Sequence, residues 1–186
     1  MQFRPLADTG ILLPEICLGT MTFGEQNTQE EAFQQLDYAL DQGLYFWDTA
    51  EMYPVPPKPE TQGATERMIG NWIASRGGRD QLFLASKIAG PSQGGSHIRD
   101  GRTRFVADEI ASAIDQSLAR LQTDYIDLYQ LHWPQRPTNF FGKLGYGNAE
   151  AAEDRAVTDL EETLTALHQE IQKGRIRYIG LSNETP

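Results

Sequence analysis

Four side chains of this sequence have the types and the spacing to move a proton together. Asp48 closes the apolar run Leu44 to Trp47, Tyr53 follows five residues later, Lys87 closes LFLASK at residues 82–87, and His132 ends the run YIDLYQLH that starts at Tyr125. A carboxylate at the mouth of a core needs a cation, because an unpaired buried charge is too costly to keep; Lys87 is the candidate. A free phenol, with a pKa near 10, is a weak acid at neutral pH, and a neighbouring ammonium makes it a stronger one. Tyr53 is then the proton donor, Lys87 its activator, Asp48 the group that holds Lys87, and His132 a hydrogen-bonding partner for a substrate oxygen. Such a set suits protonation of an oxyanion as it forms, the need of a carbonyl carbon receiving a hydride. Taken singly, Asp48 and Lys87 suit a structural ion pair, Tyr53 a packed loop tyrosine, and His132 a satisfied histidine at a core edge. The conjunction carries the reading, since three of the four close successive apolar runs and the fourth lies just beyond one.

The elements that must position these groups follow from the same pattern. Phe3 to Leu6 and Ile11 to Leu13 flank Ala-Asp-Thr-Gly, the composition of a hairpin. Ile16 to Thr20 reads as a strand whose terminal Gly19-Thr20 lets a ligand approach the backbone. Thr28 with Glu31 makes a capping box, and Phe33, Leu36, Ala39 and Leu40 recur at helical spacing up to Gly43. Leu44 to Asp48 reads as a buried strand. The proline-rich PVPPKPETQG cannot be a helix interior or a central strand, so it must be a loop above the strand ends. A helix from about Thr65 to Gly77 leads to LFLASK; residues 90–102 are a Gly/Ser-rich loop, and Val106, Ile110, Ile114, Leu118 and Leu121 mark another helix. After the His132 strand comes an insertion at 134–157 whose GKLGYG lacks the feeding strand and the Rossmann or Walker spacing of a phosphate loop. A last helix with Leu160, Leu164, Leu167 and Ile171 ends at Gly174, and IRYIGLSN is a fifth strand finishing at Ser182-Asn183.

Five strands alternating with four helices predict an all-parallel α/β architecture with right-handed crossovers. A doubly wound sheet concentrates its ligand contacts at one switch point, whereas polar residues stand at the end of every strand here. That is the arrangement of a (β/α)8 TIM barrel. A complete barrel takes around 250 residues, so residues 1–186 are expected to form a single barrel domain, C-terminally incomplete: the N-terminal portion, about five of eight strand-helix units, preceded by a β-hairpin.

Composition narrows the function classes. A formal net charge of −10 argues against a binder of phosphate backbones. Cys17 is the one cysteine, in an apolar run, and reads as a buried structural thiol. No apolar run approaches the roughly 18 residues of a membrane helix, and MQFRPLADTG has no signal-peptide core; a cytoplasmic setting is expected. His97, His132 and His168 lie on separate elements without metal-ligand spacing, and Ser86 and Ser182 lack a nucleophile elbow.

The phrases LGTMTFG, FWDTAEMY, LFLASK, RLQTDYIDLYQLHWP and IRYIGLSNET resemble the aldo-keto reductase family, in order and over essentially the whole chain. The resemblance implies NADPH as hydride donor and an aldehyde or ketone as acceptor, with Tyr53 as general acid tuned by Lys87 and Asp48, and His132 orienting the carbonyl. It places the nicotinamide against the backbone of Gly19, Thr20 and Met21 and its carboxamide at Ser182 and Asn183, with Trp133 lining the substrate pocket. The family's nicotinamide-stacking aromatic and its phosphate-binding cations come from later strands, beyond residue 186. An open five-strand arc leaves unpaired edges, which predicts a truncated product, a processed fragment, or self-association in which a second copy covers the open edge. Two alternatives to the reductase are a non-catalytic nucleotide-binding regulatory subunit and an inactive half-barrel.

Overall fold

The computed structural model describes residues 1–91, 96–136 and 158–184. Residues 92–95 of the Gly/Ser-rich loop and 137–157 of the predicted insertion, GKLGYG included, lie outside them.

The N-terminal hairpin is present: β1 (Phe3–Pro5) pairs antiparallel with β2 (Leu12–Pro14). Then follow β3 (Leu18–Gly19), α1 (Gln29–Asp41), β4 (Phe46–Asp48), α2 (Ala64–Arg76), β5 (Phe83–Ile88), α3 (Ala107–Leu121), β6 (Ile126–Leu131), α4 (Leu160–Gln172) and β7 (Ile176–Leu181). Strands β3 to β7 form one parallel sheet in the order β3-β4-β5-β6-β7. Every strand pairs with its sequence neighbour and the order never reverses, so there is no switch point. With crossovers of one hand, all the helices fall on one face and the sheet curls around the other. That is the barrel arrangement.

Local signals set the helix limits. Thr28 accepts a hydrogen bond from the Glu31 amide (3.2 Å) while the Glu31 carboxylate accepts from the Thr28 amide (2.9 Å), which is the expected capping box. Gly43 (φ 78°) and Gly174 (φ 75°) close α1 and α4 in the same way. The glycine N–H returns to Leu40 O or Ile171 O, and the next N–H to Ala39 O or Glu170 O, turning the chain into the following strand.

The strand before Asp48 is shorter than its apolar run. Leu44 and Tyr45 precede β4 and are only partly buried, and the Tyr45 ring stacks on Phe3 of the hairpin with its hydroxyl donating to Leu12 O. The Tyr45 side chain thus packs on the hairpin while its carbonyl accepts from the Phe83 amide of β5. Alternation then sorts the strands into two layers. Trp47, Leu84, Ile88, Tyr129 and Leu131 pack in the core that includes Ile69, Trp72, Ile110 and Ile114 of the helices, whereas Asp48, Lys87 and Gln130 turn to the inner face and meet one another. At the far end, Ile179 and Leu181 on the outer face of β7, with Leu160 and Leu164 of α4, are exposed.

Helices α2 and α3 approach closest at Gly70. A Cβ there would lie 2.1 Å from Arg120 O and 2.8 Å from the Leu121 carbonyl carbon. Gly70→Ala should destabilise the chain by about 1–3 kcal/mol, although alanine is the better helix former by about 1 kcal/mol. A urea midpoint for Gly70→Ala at or above that of the parent would refute the close contact.

Candidate active site

Two properties of the sheet bring the predicted residues together. Asp48 stands opposite Ala85, and Lys87 opposite Gln130. The Lys87 ammonium is thus supplied two residues further along its strand than the carboxylate, and a shift of two keeps both on the same face. Lys87 Nζ lies 2.6 Å from Asp48 Oδ2, 2.8 Å from Thr49 O and 3.4 Å from Tyr53 Oη, and 4.9 Å from the centre of the Tyr53 ring. Lys87 is 5% exposed. The other oxygen of Asp48 accepts from Gln130 Nε2 at 3.2 Å. His132, 3% exposed, sets its ring edge-on to Tyr53 with centroids 5.5 Å apart. All four expected groups therefore share one inner site at the C-terminal end of the sheet.

Tyr53 sits on a loop held at many points. Its N–H donates to Ala50 O and its carbonyl accepts from the Gly63 N–H at 2.8 Å; Thr49 N bonds Ala85 O and Glu51 N bonds Lys87 O. Across the mouth, Val55 N donates to Met21 O (2.9 Å), Thr65 Oγ1 donates to Phe23 O (2.8 Å) and Lys58 pairs with Glu25.

The nicotinamide-side residues line up differently from one another. Gly19 stands opposite Asp48, and a Cβ on it would meet nothing within 4 Å, so a flat ring can come up against its backbone. Thr20 is fully buried and commits both its amide (3.1 Å) and its hydroxyl (2.8 Å) to Asp48 O. It fixes the end of β4, and Gly19 and Met21 flank it. Asn183, with φ 57°, donates through Nδ2 to His132 O (2.8 Å) and to Ser182 Oγ (3.0 Å). Ser182 Oγ as acceptor leaves its own proton free to donate, and the Asn183 amide oxygen remains an acceptor. One donor and one acceptor match the needs of a carboxamide, so the residues present fit the nicotinamide end of the expected cofactor. Among the described residues, Lys58, Lys87, Arg99 and Arg136 each pair with a carboxylate.

Trp133 follows Leu131 on the outer side. Its indole N–H donates to Pro91 O (3.1 Å), it packs over Gly90, where a Cβ would lie 2.7 Å from Nε1, and its ring is 5.1 Å from that of His132. It borders a cavity of about 700 Å³ with Phe105, Leu131 and Leu181, whose lining includes none of Asp48, Tyr53, Lys87 and His132. Cys17, partly buried, has its thiol pushed up to about 12 by burial and by the Asp48 charge, so it stays a thiol at neutral pH.

Sequence reasoning missed Gln130, Glu51 and Arg99. Gln130 is two residues before His132 and so on its face, a signal that alternation alone supplies. Glu51 and Arg99 form a buried pair whose partners are 48 residues apart on two loops, and no local pattern announces it.

Several comparisons bear on this arrangement. The sequence profile described as the Aldo/keto reductase family matches residues 15–186. The chain is 50% identical over 185 residues to Protein tas of Escherichia coli (strain K12), covering 100% of this chain and 53% of that protein. It is 32% identical to Aldo-keto reductase YhdN of Bacillus subtilis (strain 168), covering 98% of this chain and 47% of the relative. Among solved structures, the thermostable aldo-keto reductase Tm1743 in complex with the inhibitor epalrestat superposes with a TM-score of 0.71 at 32% identity, over 99% of this chain and 54% of that one. The chain thus spans about half the length of the relatives it matches.

The His132 imidazole is pushed down to about 3, from an ordinary 6.5, first by burial and then by the Lys87 ammonium. It is neutral across the physiological range. The unfolded chain takes up a proton at His132 that the folded chain refuses, so stability is complete above about pH 6.5 and falls as the pH drops towards 3. At about pH 5 the loss should be about 2 kcal/mol. Denaturant titrations between about pH 7 and pH 5 should show it in the parent and not in His132→Gln; equal pH dependence in the two would refute a neutral buried imidazole.

Proposed function

Because the chain belongs to the aldo/keto reductase family, we propose that it works in the NADPH-dependent reduction of an aldehyde or ketone to an alcohol, with Tyr53 as the general acid. The observation that carries the reading is the Lys87 ammonium, which lies within 3.4 Å of the Tyr53 hydroxyl and 2.6 Å of Asp48. Bound NADPH would supply the hydride to the carbonyl carbon. The rest is work for side chains on the inner face.

A carbonyl oxygen placed against Tyr53 Oη accepts its hydrogen bond and, as negative charge builds on that oxygen, takes its proton. The phenolate left behind is stabilised by the Lys87 charge, which acts strongly because the site is shielded from water. Asp48 and Thr49 O fix Lys87 so that no reorganisation is needed at the moment of transfer, and Gln130 fixes Asp48. His132, being neutral, can donate one hydrogen bond to the same carbonyl oxygen without competing as an acid. Asn183 and Ser182 would hold a nicotinamide carboxamide, and the open backbone at Gly19 would admit its ring. The family relation and this donor set support the cofactor and reaction class, and the roles are our assignment.

Tyr53→Phe removes the transferable proton and keeps the ring. With p-nitrobenzaldehyde as probe and NADPH consumption as signal, it should lower kcat by about 10²- to 10⁴-fold, the usual worth of general acid catalysis, while NADPH still quenches tryptophan fluorescence. Turnover equal to that of the parent would overturn the assignment.

A further inference from the structure

The residue that joins the site to the layer behind it is Glu51. It lies between Asp48 and Tyr53 in the chain, yet its carboxylate points away from them and is fully buried. Oε1 accepts from the Ala89 N–H (2.6 Å) and from Arg99 Nη2 (2.8 Å), and Oε2 accepts from Arg99 Nε (3.0 Å). The same residue's N–H donates to Lys87 O at 3.1 Å, and its carbonyl accepts from Gln62 Nε2 at 2.5 Å. Glu51 therefore ties the Tyr53 loop to the end of β5 at Lys87 and two residues beyond it, at Ala89, and to the chain before α3 through Arg99.

Arg99 is itself held in an uncommon shape. Its side chain is 3% exposed, its backbone has φ 48° and that of Asp100 φ 55°. A non-glycine residue in the left-handed region costs about 1–2 kcal/mol and persists only where the surroundings over-determine it. Here the guanidinium also donates to Arg102 O and Glu109 O. The chain accepts two such residues in succession to deliver one guanidinium to one carboxylate. Burial raises the cost of the Glu51 charge and holds its carboxyl above the usual carboxylate range, and the bidentate Arg99 counters part of that rise.

We propose that Glu51 and Arg99 are positioning residues for the proton transfer: their buried bidentate pair sets the reach from Lys87 Nζ to Tyr53 Oη. The proposal rests on the reading of Tyr53 as general acid, but its first test does not. Lys87 is anchored by its strand, whereas Tyr53 lies beyond β4 on a loop, so the distance between them depends on what fixes that loop to β5. Backbone bonds join the two segments at Thr49–Ala85 and Glu51–Lys87, and the Glu51 carboxylate adds a side-chain tie to the Ala89 amide.

The test uses the chain labelled with 3-fluorotyrosine, in which the Tyr53 resonance is identified by its loss in Tyr53→Phe; Tyr129, which feels the Glu51 and Arg99 charges, is identified in the same way, and the other five tyrosines are internal controls. Glu51→Gln should shift or broaden the Tyr53 resonance and leave those five in place. Because that variant strands the Arg99 charge, Glu51→Gln with Arg99→Met is made beside it; it removes both charges and should regain the parent's thermal midpoint without regaining the Tyr53 signal. In turnover of p-nitrobenzaldehyde, both variants should lose about 10²-fold in kcat with KM nearly unchanged, the scale of a misplacement near 1 Å. A double variant that recovers stability and the parent's Tyr53 resonance together would overturn the proposal. Its failure is separable from that of the reductase reading, which stands or falls on the turnover of Tyr53→Phe.

Discussion

The structure turns on a lysine ammonium placed where water barely reaches. Lys87 sits on a strand buried at every position, and a charge there is tolerable only if its partners come with it. Asp48 brings a carboxylate from β4, Thr49 a carbonyl from the same strand end, and Tyr53 a hydroxyl from the loop beyond. Each partner lies on the strand adjacent to Lys87 or just past it. The ion pair thereby fixes the alignment of β4 and β5 at the end where the chemistry is, while Gln130 on β6 closes the arrangement on the other flank. A one-residue slip would send Asp48 to the outer face among the helices and leave Lys87 unpaired.

Much of this was legible in the sequence because the signals are local. The capping box at Thr28 and Glu31, the glycines at 43, 77 and 174, and the runs ending in Asp48, Lys87 and His132 each act over a few residues, and the structure places them as the pattern implies. The barrel order followed from polar residues at every strand end. What was not legible is long-range. The apolar run before Asp48 overstated β4, and its Tyr45 side chain meets the hairpin, a contact of residues over 30 apart. That the Thr20 hydroxyl and amide close on Asp48 O is likewise decided only by the β3 to β4 pairing. Trp133, just past the end of β6, keeps its ring 5.1 Å from that of His132.

The outer layer carries a second set of buried charges. Glu66 accepts from Ser86 Oγ (2.6 Å) and from Arg120 Nε (2.6 Å), and Asp127 accepts from Arg79, Arg177 and the Leu84 amide. With Glu51 and Arg99, these groups link strands to the segments that cross behind them. Buried ion pairs add little net stability compared with apolar packing, but breaking one is costly. Their effect here is on alignment: each carboxylate accepts from two or more named donors on different elements, and a shifted register would satisfy none of these geometries.

The two layers divide the electrostatic labour. Behind the sheet, these three carboxylates meet guanidiniums: Arg99 bidentate at Glu51, Arg120 at Glu66, and Arg79 and Arg177 together at Asp127. On the inner face, Lys87 is matched by the single carboxylate of Asp48, and the groups facing it from the substrate side, Tyr53 and the neutral His132, carry none. A positive end is thus presented to the phenol while the protein's formal charge is −10. Any negative charge that develops on an oxygen at Tyr53 meets its nearest countercharge at Lys87, with a neutral imidazole as the other donor within reach. An imidazolium at His132 would repel Lys87 and offer a second, less selective acid. Burial and the Lys87 charge both suppress that form.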